Sequence, residues 1–160
     1  MNLQAALKNQ YHAGLSMLLQ AIDACPSTLW TEQSQPHPYW RLTYHTLFYT
    51  DLYLRPTKET FVPWEGHVPG SQKLLPTSPG PLALYSLEQM REYCIRVESI
   101  VDDAVGQLDL HAPTSGFASY PISKLEHQFV NLRHLQLHVG QLSDTLHRTT
   151  GAGLAWRGTR

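Results

Sequence analysis

The sequence predicts an all-α fold, a four-helix bundle, in one domain that covers residues 1–160. Apolar residues recur at spacings of three and four in four separate segments, which is the period of one helix face. Two of these segments begin with a serine that has a glutamine or glutamate three residues later, the signature of a capping box. No segment shows a convincing strand pattern. A bundle of helices is therefore the simplest architecture.

The composition argues against nucleic-acid and membrane partners. Lys and Arg number 12 and Asp and Glu 13, so a net charge of -1 offers no basic surface for phosphates. No segment approaches the roughly 20 apolar residues that cross a bilayer, and the first residues do not resemble a signal peptide. We therefore expect a soluble cytoplasmic protein in which Cys25 and Cys94 are buried thiols.

The first two helices are predicted in the N-terminal third of the chain. Residues 3–22 carry one apolar stripe, formed by Leu3, Leu7, Leu15, Leu18, Leu19 and Ile22. Prolines at positions 26, 36 and 38 predict a connector after it, because a proline disfavours helix in the residue before it. Residues 39–54 are aromatic but long enough for a helix, and Pro38 suits the first turn. We predict the second helix there.

Residues 55–81 predict a long crossover loop between the second and third helices. They contain six prolines and three glycines, which exclude a regular helix throughout. Loops of this length commonly cover a site or connect elements that are not neighbours. Because His67 lies in its middle, this loop is a candidate cover for a site.

The third and fourth helices have the clearest signals. Ser86 and Gln89 form a capping box at the start of the third helix. The a/d series behind it is Leu87, Met90, Cys94, Val97, Val101, Ala104 and Leu108. Ser123 and Glu126 form a second box, and the fourth helix is predicted to run to Gly151, which suits a left-handed C-terminal cap. Its apolar positions are Phe129, Leu132, Leu135, Val139, Leu142 and Leu146.

Two of the nine histidines, His134 and His138, are four apart on the fourth helix. At about 100° per residue they project only about 40° apart, so both imidazoles can reach one point beside the helix. His45 lies on the apolar stripe of the second helix and is predicted to point inward. Burying imidazoles without partners costs on the order of 1–3 kcal/mol each. A shared metal ion removes that cost, but hydrogen-bonded or surface histidines remain the alternative.

The other histidines are predicted to lie outside any such cluster. His127 precedes His134 by seven residues, about 10 Å along the helix, which is too far to share an ion. We expect it to make a hydrogen bond near the helix start or to lie at the rim of a pocket. The remaining histidines are in loops or near helix ends and are expected to be exposed: His12, His37, His67, His111 and His147.

The order of these features resembles the DinB/YfiT-like superfamily of bacterial four-helix-bundle metalloenzymes. The resemblance rests on "YWRLTYHTLFYTDLYL", the long crossover, "LRHLQLHVGQLSDTLHRTTG" and the terminal "LAWRG", and it covers nearly the whole chain. It implies that His45, His134 and His138 form a metal triad. Leu137 stands where some relatives have another histidine, which leaves the triad intact. Some members are similar to bacillithiol-type S-transferases, others to mycothiol-dependent isomerases, and the family habit is a dimer.

Three neutral imidazoles would leave an open coordination position on a divalent ion, zinc or nickel first among the candidates. The ion would lower the pKa of a bound water or thiol. The leading hypothesis is therefore a metal-dependent thiol transferase whose partners are a low-molecular-weight thiol and an electrophile. The alternatives are a dimeric interaction module, either clamped by metal or metal-free, and a metal-dependent hydrolase, which lacks an evident general base.

Residues that would assist the triad are less specifically signalled. Tyr49, one turn after His45, is a candidate hydrogen-bond donor to substrate, with a core tyrosine as the alternative. Asp51 and Glu126 are candidates to orient a ligating imidazole, although solvated helix positions explain them equally well. Arg133 projects about 100° away from the pair and is assigned to the surface or a subunit contact.

Overall fold

A computed structural model describes residues 2–32, 37–74 and 84–159. Within these ranges the chain has five α-helices, one 3-10 helix and no strand. The all-helical prediction is confirmed. The helices are α1 (Leu3–Asp23), α2 (Ser27–Trp30), α3 (Tyr39–Tyr53), α4 (Leu87–Gln107) and α5 (Lys124–Thr150), and the 3-10 helix is Lys58–Thr60.

The helix ends follow the capping signals. The Ser86 hydroxyl accepts from the Gln89 amide at 3.1 Å, and the Gln89 side chain accepts from the Ser86 amide at 2.8 Å. At the start of α5, Ser123 accepts from the Glu126 amide at 3.2 Å. Gly151 ends α5 with φ 77°, a left-handed conformation that costs glycine little. The predicted starts of α4 and α5 and the end of α5 are therefore confirmed.

The four long helices pack side by side as a helical bundle. Both α1 and α3 pack on α4 and on α5, so the order around the core is α1, α4, α3, α5. The predicted a/d series of α4 is buried from Met90 to Leu108. For function, the important consequence is that α3 and α5 are direct neighbours along the bundle.

Three local expectations need correction or completion. The connector contains the unpredicted helix α2, because the Trp30 indole is buried and donates to the Tyr85 carbonyl at 2.9 Å. Phe129, assigned to the apolar series of α5, is 51% exposed and faces away from the core. The predicted crossover loop is described only up to residue 74, where it contains the 3-10 helix, and residues 75–81 lie outside the described residues.

Cys25 and Cys94 are both buried and free, as predicted. Among the helices that the structure describes, none combines the length and the apolar character needed to cross a membrane.

Candidate metal centre

His45, His134 and His138 converge on one point between α3 and α5. The Nε2 atom of His134 lies 3.0 Å from Nε2 of His45 and 3.1 Å from Nε2 of His138. One nitrogen from each of the three rings lies within 4.8 Å of the others. His138 is buried and the other two rings are half-buried. The predicted inward direction of His45 is therefore confirmed, and the three predicted residues are brought together.

The outer nitrogens of two of these rings are held by hydrogen bonds. His45 Nδ1 lies 2.7 Å from the Gln72 carbonyl, and His138 Nδ1 lies 2.7 Å from the Gln141 side-chain oxygen. Because both partners are acceptors, each Nδ1 carries the proton and each Nε2 presents a lone pair to the centre. This arrangement is the one found for histidines that bind a metal through Nε2.

The environment favours the neutral form of all three imidazoles. Burial lowers the pKa of His45 to about 4, an effect that the Gln72 carbonyl only partly opposes. Burial first, and the two neighbouring histidines second, lower the pKa of His134 to about 3. Burial also lowers the pKa of His138. Neutral imidazole is the ligating form, so near pH 7 the cluster is ready to bind a cation.

The donor set fits one transition-metal ion. The Nε2 atoms of His45 and His138 both present lone pairs, and the single Nε2 proton of a neutral His134 can satisfy only one of them. A cation at the centre would satisfy all three. Nitrogens bound to zinc at about 2.0–2.1 Å lie about 3.3 Å apart in tetrahedral geometry, close to the two spacings observed here. Imidazole nitrogens are suitable ligands for zinc and nickel, the two ions predicted first from the sequence.

Tyr49 lies beside the cluster. Its ring centroid is 4.8 Å from that of His45 and 5.6 Å from that of His134. The side chain is half-buried and also lines a cavity next to the centre. Its position is compatible with contact to a substrate, and its role as a hydrogen-bond donor stays a prediction.

The two carboxylates predicted to orient the imidazoles do not do so. Asp51 is fully buried, and its oxygens pair with Arg55 at 2.5 Å, with the Tyr93 hydroxyl at 3.1 Å and with Arg96 at 3.7 Å. Glu126 is exposed in the first turn of α5, eight residues and about 12 Å along the helix from His134. The residue separation therefore places Glu126 too far away, and packing directs Asp51 to other partners.

The Gln72 carbonyl and Gln141 take that role instead, and neither was predicted. Gln141 follows His138 by three residues, a spacing at which helical side chains meet, so the sequence contained a usable signal. The Gln72 carbonyl had none, because a main-chain acceptor is independent of residue type.

The structure corrects the expectations for His12 and His127. His12 is 7% exposed rather than solvated, with Nε2 3.1 Å from Asp102 and Nδ1 3.5 Å from Glu98. His127 is fully buried, and neither ring nitrogen has a hydrogen-bond partner among the described residues. Its neighbours are the rings of Tyr53, Phe117 and Tyr120.

Two more histidines that were predicted to be exposed, His37 and His67, are half-buried instead. His67 is half-buried, with Nδ1 2.5 Å from the Tyr44 hydroxyl and its ring 5.0 Å from that of Phe48. His37 is half-buried as well, whereas His111, His147 and Arg133 are exposed as predicted. The ligand cluster that the structure describes contains three histidines and none of these residues.

The fold and the site together define an all-helical protein with a candidate three-histidine metal centre. In comparisons with known proteins, no family model, no curated protein and no solved structure matches this chain. The resemblance to the DinB/YfiT-like superfamily therefore stays a prediction, and the geometry of the site carries the functional argument.

Proposed function

We propose that the protein is a metal-dependent, thiol-using transferase of the DinB/YfiT type. In this proposal His45, His134 and His138 hold one divalent transition-metal ion, either zinc or nickel. The observation that carries the proposal is the convergence of three Nε2 atoms, two of them on rings whose Nδ1 protons are already engaged. The all-helical fold, with five α-helices among the described residues, supports the same assignment.

A divalent ion with three neutral ligands keeps its double charge, and when bound it would lower the pKa of a small thiol beside it. The protein supplies the three ligands, and Gln72 and Gln141 fix the tautomers of His45 and His138. Tyr49 borders two of the imidazoles and is the candidate to hydrogen-bond the electrophilic substrate. The reaction class is substitution at carbon: the thiol loses its proton, its sulfur forms a bond to the electrophilic carbon, and the leaving group departs with the electron pair of the bond that breaks.

A homodimer belongs to the same proposal. Phe129 and Leu137 are 51% and 60% exposed on α5, and large apolar side chains of this kind are often buried by a partner. The metal ligands and Gln141 all come from one chain, so the centre does not depend on the dimer.

Elemental analysis of the purified protein tests the metal centre. We expect about one zinc or nickel ion per chain in the wild type and a metal content at least about tenfold lower in His138→Ala. His147→Ala is the matched control, because His147 is an exposed histidine on the same helix. Equal, negligible metal in the wild type and in His138→Ala would refute the centre.

A purely structural metal site is the competing function, and the placement of the ligands on two helices favours it. An ion shared by α3 and α5 would cross-link them and stabilise the fold whether or not chemistry occurs. Consumption of a low-molecular-weight thiol in the presence of electrophiles distinguishes the two functions. A metal-loaded protein that a chelator destabilises, but that conjugates no thiol, would be a clamp rather than a transferase.

A further inference from the structure

A cavity of about 480 Å³ borders the candidate metal centre. Two residues that line the cavity also contact the centre. The Tyr49 ring lies against the His45 ring, and the Gln72 main-chain carbonyl accepts a hydrogen bond from His45 Nδ1. Small-molecule sites in proteins commonly measure about 300–1,000 Å³. The cavity therefore has the size and the position of a substrate pocket.

The walls of the cavity are mainly aromatic. Phe48, Tyr49 and Tyr53 come from α3, Phe61 follows the 3-10 helix, and Phe117 precedes α5. These rings also pack on one another, with centroids 5.2 Å apart for Phe48 and Phe61 and 5.4 Å apart for Tyr53 and Phe117. Both contacts are edge-to-face, a geometry that aromatic pairs favour. The walls favour a flat, apolar ligand.

Two features fasten the loop of Phe117 to the loop that leads to the 3-10 helix. The buried Lys124 ammonium donates to the Pro56 carbonyl at 2.6 Å and also to the Ser115 carbonyl. Gly116 has φ 80°, and a Cβ there would collide with the Pro56 carbonyl oxygen. The two loops therefore approach more closely than a side chain would allow. This contact holds the two loops that border the cavity close together.

Lys58 is the one charged residue among the described residues that line the cavity. It is exposed, at the first position of the 3-10 helix, which the Thr60 hydroxyl supports by donating to the Thr57 carbonyl at 2.8 Å. Glu59, the next residue, is fully exposed and does not line the cavity. A positive group at the rim of an aromatic cavity is complementary to an anionic group on an aromatic ligand.

We propose that this cavity binds an aromatic carboxylate or sulfonate, with its ring system between the aromatic walls and its anionic group at Lys58. The inference rests on the proposed function in one respect, since it assigns this ligand as the electrophilic substrate rather than the thiol. Binding itself requires no metal. The cavity and the metal centre can therefore be tested separately.

Fluorescence titration with 8-anilinonaphthalene-1-sulfonate tests the cavity, because this probe joins an aromatic body to a sulfonate. Its uncharged analogue, N-phenyl-1-naphthylamine, has the same rings without the charge. We expect saturable binding of one sulfonate probe per chain, and weaker binding of the analogue. Lys58→Gln should lower the affinity for the sulfonate probe by about three- to fivefold, the effect of an exposed ion pair, and leave the affinity for the analogue unchanged. Lys8→Gln on α1, across the bundle from α3, is the matched control.

Phe61→Ala should lower the affinity for both probes by about tenfold, because it removes one aromatic wall of the cavity. Trp156→Ala removes an indole that is 74% exposed in the C-terminal tail, so it reports adsorption to an exposed apolar residue. It should change neither affinity. Circular dichroism of each variant checks that the helices are retained.

The proposal is overturned if no saturable binding occurs, if Lys58→Gln and Phe61→Ala both bind like the wild type, or if Trp156→Ala abolishes binding. Equal affinity for the charged and the uncharged probe overturns the role of Lys58. His138→Ala separates this inference from the proposed function. We expect this variant to lose the metal but to bind the sulfonate probe, so either proposal can fail without the other.

Discussion

The Nε2 atoms of His45 and His134 lie 3.0 Å apart, although the two residues are 89 positions apart in the chain. The contact joins α3 to α5 and brings a third imidazole, His138, to the same point. No carboxylate belongs to this cluster among the described residues. A divalent ion there would keep its full charge, which is the electrostatic condition for activating a neutral thiol or water.

Gln141→Ala should weaken metal binding by about tenfold without unfolding the protein. The substitution removes the acceptor that holds the Nδ1 proton of His138, and such outer hydrogen bonds commonly contribute about 10–100-fold in metal affinity. Competition with a chelating dye measures the change. Gln136→Ala, another exposed position of α5, is the control. An unchanged affinity in Gln141→Ala would show that the hydrogen bond does not support the centre.

Tyr49→Phe should slow thiol transfer while leaving metal content and stability unchanged. It removes only the hydroxyl, and the ring that packs on His45 is kept. We expect a decrease in kcat of about 10-fold or more if the hydroxyl donates to the reacting substrate. Steady-state kinetics with metal analysis of the same sample measures it. Equal rates for the two proteins would assign Tyr49 to packing alone.

The buried His127 should make stability depend on pH below neutrality. Burial, with a smaller contribution from Lys124, lowers its pKa from 6.5 to about 4. Between these values the unfolded chain binds the proton and the folded chain does not. The free energy of unfolding therefore has its full value above pH 6.5 and decreases as pH falls towards 4. The titration of His127 contributes up to about 3 kcal/mol to this decrease.

His127→Leu removes that titration and should flatten the pH profile relative to the wild type. Urea unfolding at several pH values between 4 and 7 measures the difference. His147→Leu, at an exposed histidine of the same helix, should retain the wild-type slope. Parallel profiles for His127→Leu and the wild type would mean that His127 has the same pKa in the folded and in the unfolded chain.

Two glycine substitutions should change stability in opposite directions. Gly116→Ala places a Cβ at φ 80° against the Pro56 carbonyl, and we expect a loss of about 2 kcal/mol or more. A Cβ at Gly140, within α5, would meet no atom of the described residues within 4 Å apart from the local helix backbone, so Gly140→Ala should stabilise the helix by about 0.5–1 kcal/mol. Thermal unfolding measures both. A neutral Gly116→Ala would mean that the two loops can separate at little cost.

Asp51→Ala should destabilise the fold without affecting metal content. It leaves the buried Tyr93 hydroxyl without its acceptor, which typically costs about 1–3 kcal/mol, whereas Arg55 and Arg96 are partly exposed and can be solvated. Glu126→Ala, at an exposed position of the first turn, should cost about 0.5 kcal/mol. Loss of metal from a stably folded Asp51→Ala protein would instead return Asp51 to the centre.

The long helices and their ends are predictable from local sequence. The Ser86 capping box, the left-handed Gly151 and the a/d series of α4 each depend on residues only a few positions apart. The same is true of the His134 and His138 pair, because a spacing of four places two side chains on one helix face. The inward direction of His45 follows from its apolar stripe.

Contacts between residues distant in the chain could not be predicted from local sequence. Residue type and spacing made Asp51 and Glu126 reasonable candidates to orient the imidazoles, but packing directs Asp51 towards Arg55, Tyr93 and Arg96. The Gln72 carbonyl could not be anticipated because every residue has a carbonyl. His127 is fully buried with no hydrogen-bond partner among the residues that the structure describes, which also contradicts what a polar residue near a helix start suggests.

Local periodicity therefore specifies which faces of the helices are apolar and which histidines can share a face. The packing of α3 against α5 decides that His45 meets the other two imidazoles, and the loops around Phe61 and Phe117 decide that an aromatic cavity lies beside them. The reason is physical. Helix faces are set by bonds between residues three or four apart, whereas the centre and the cavity are made by contacts between segments distant in the chain.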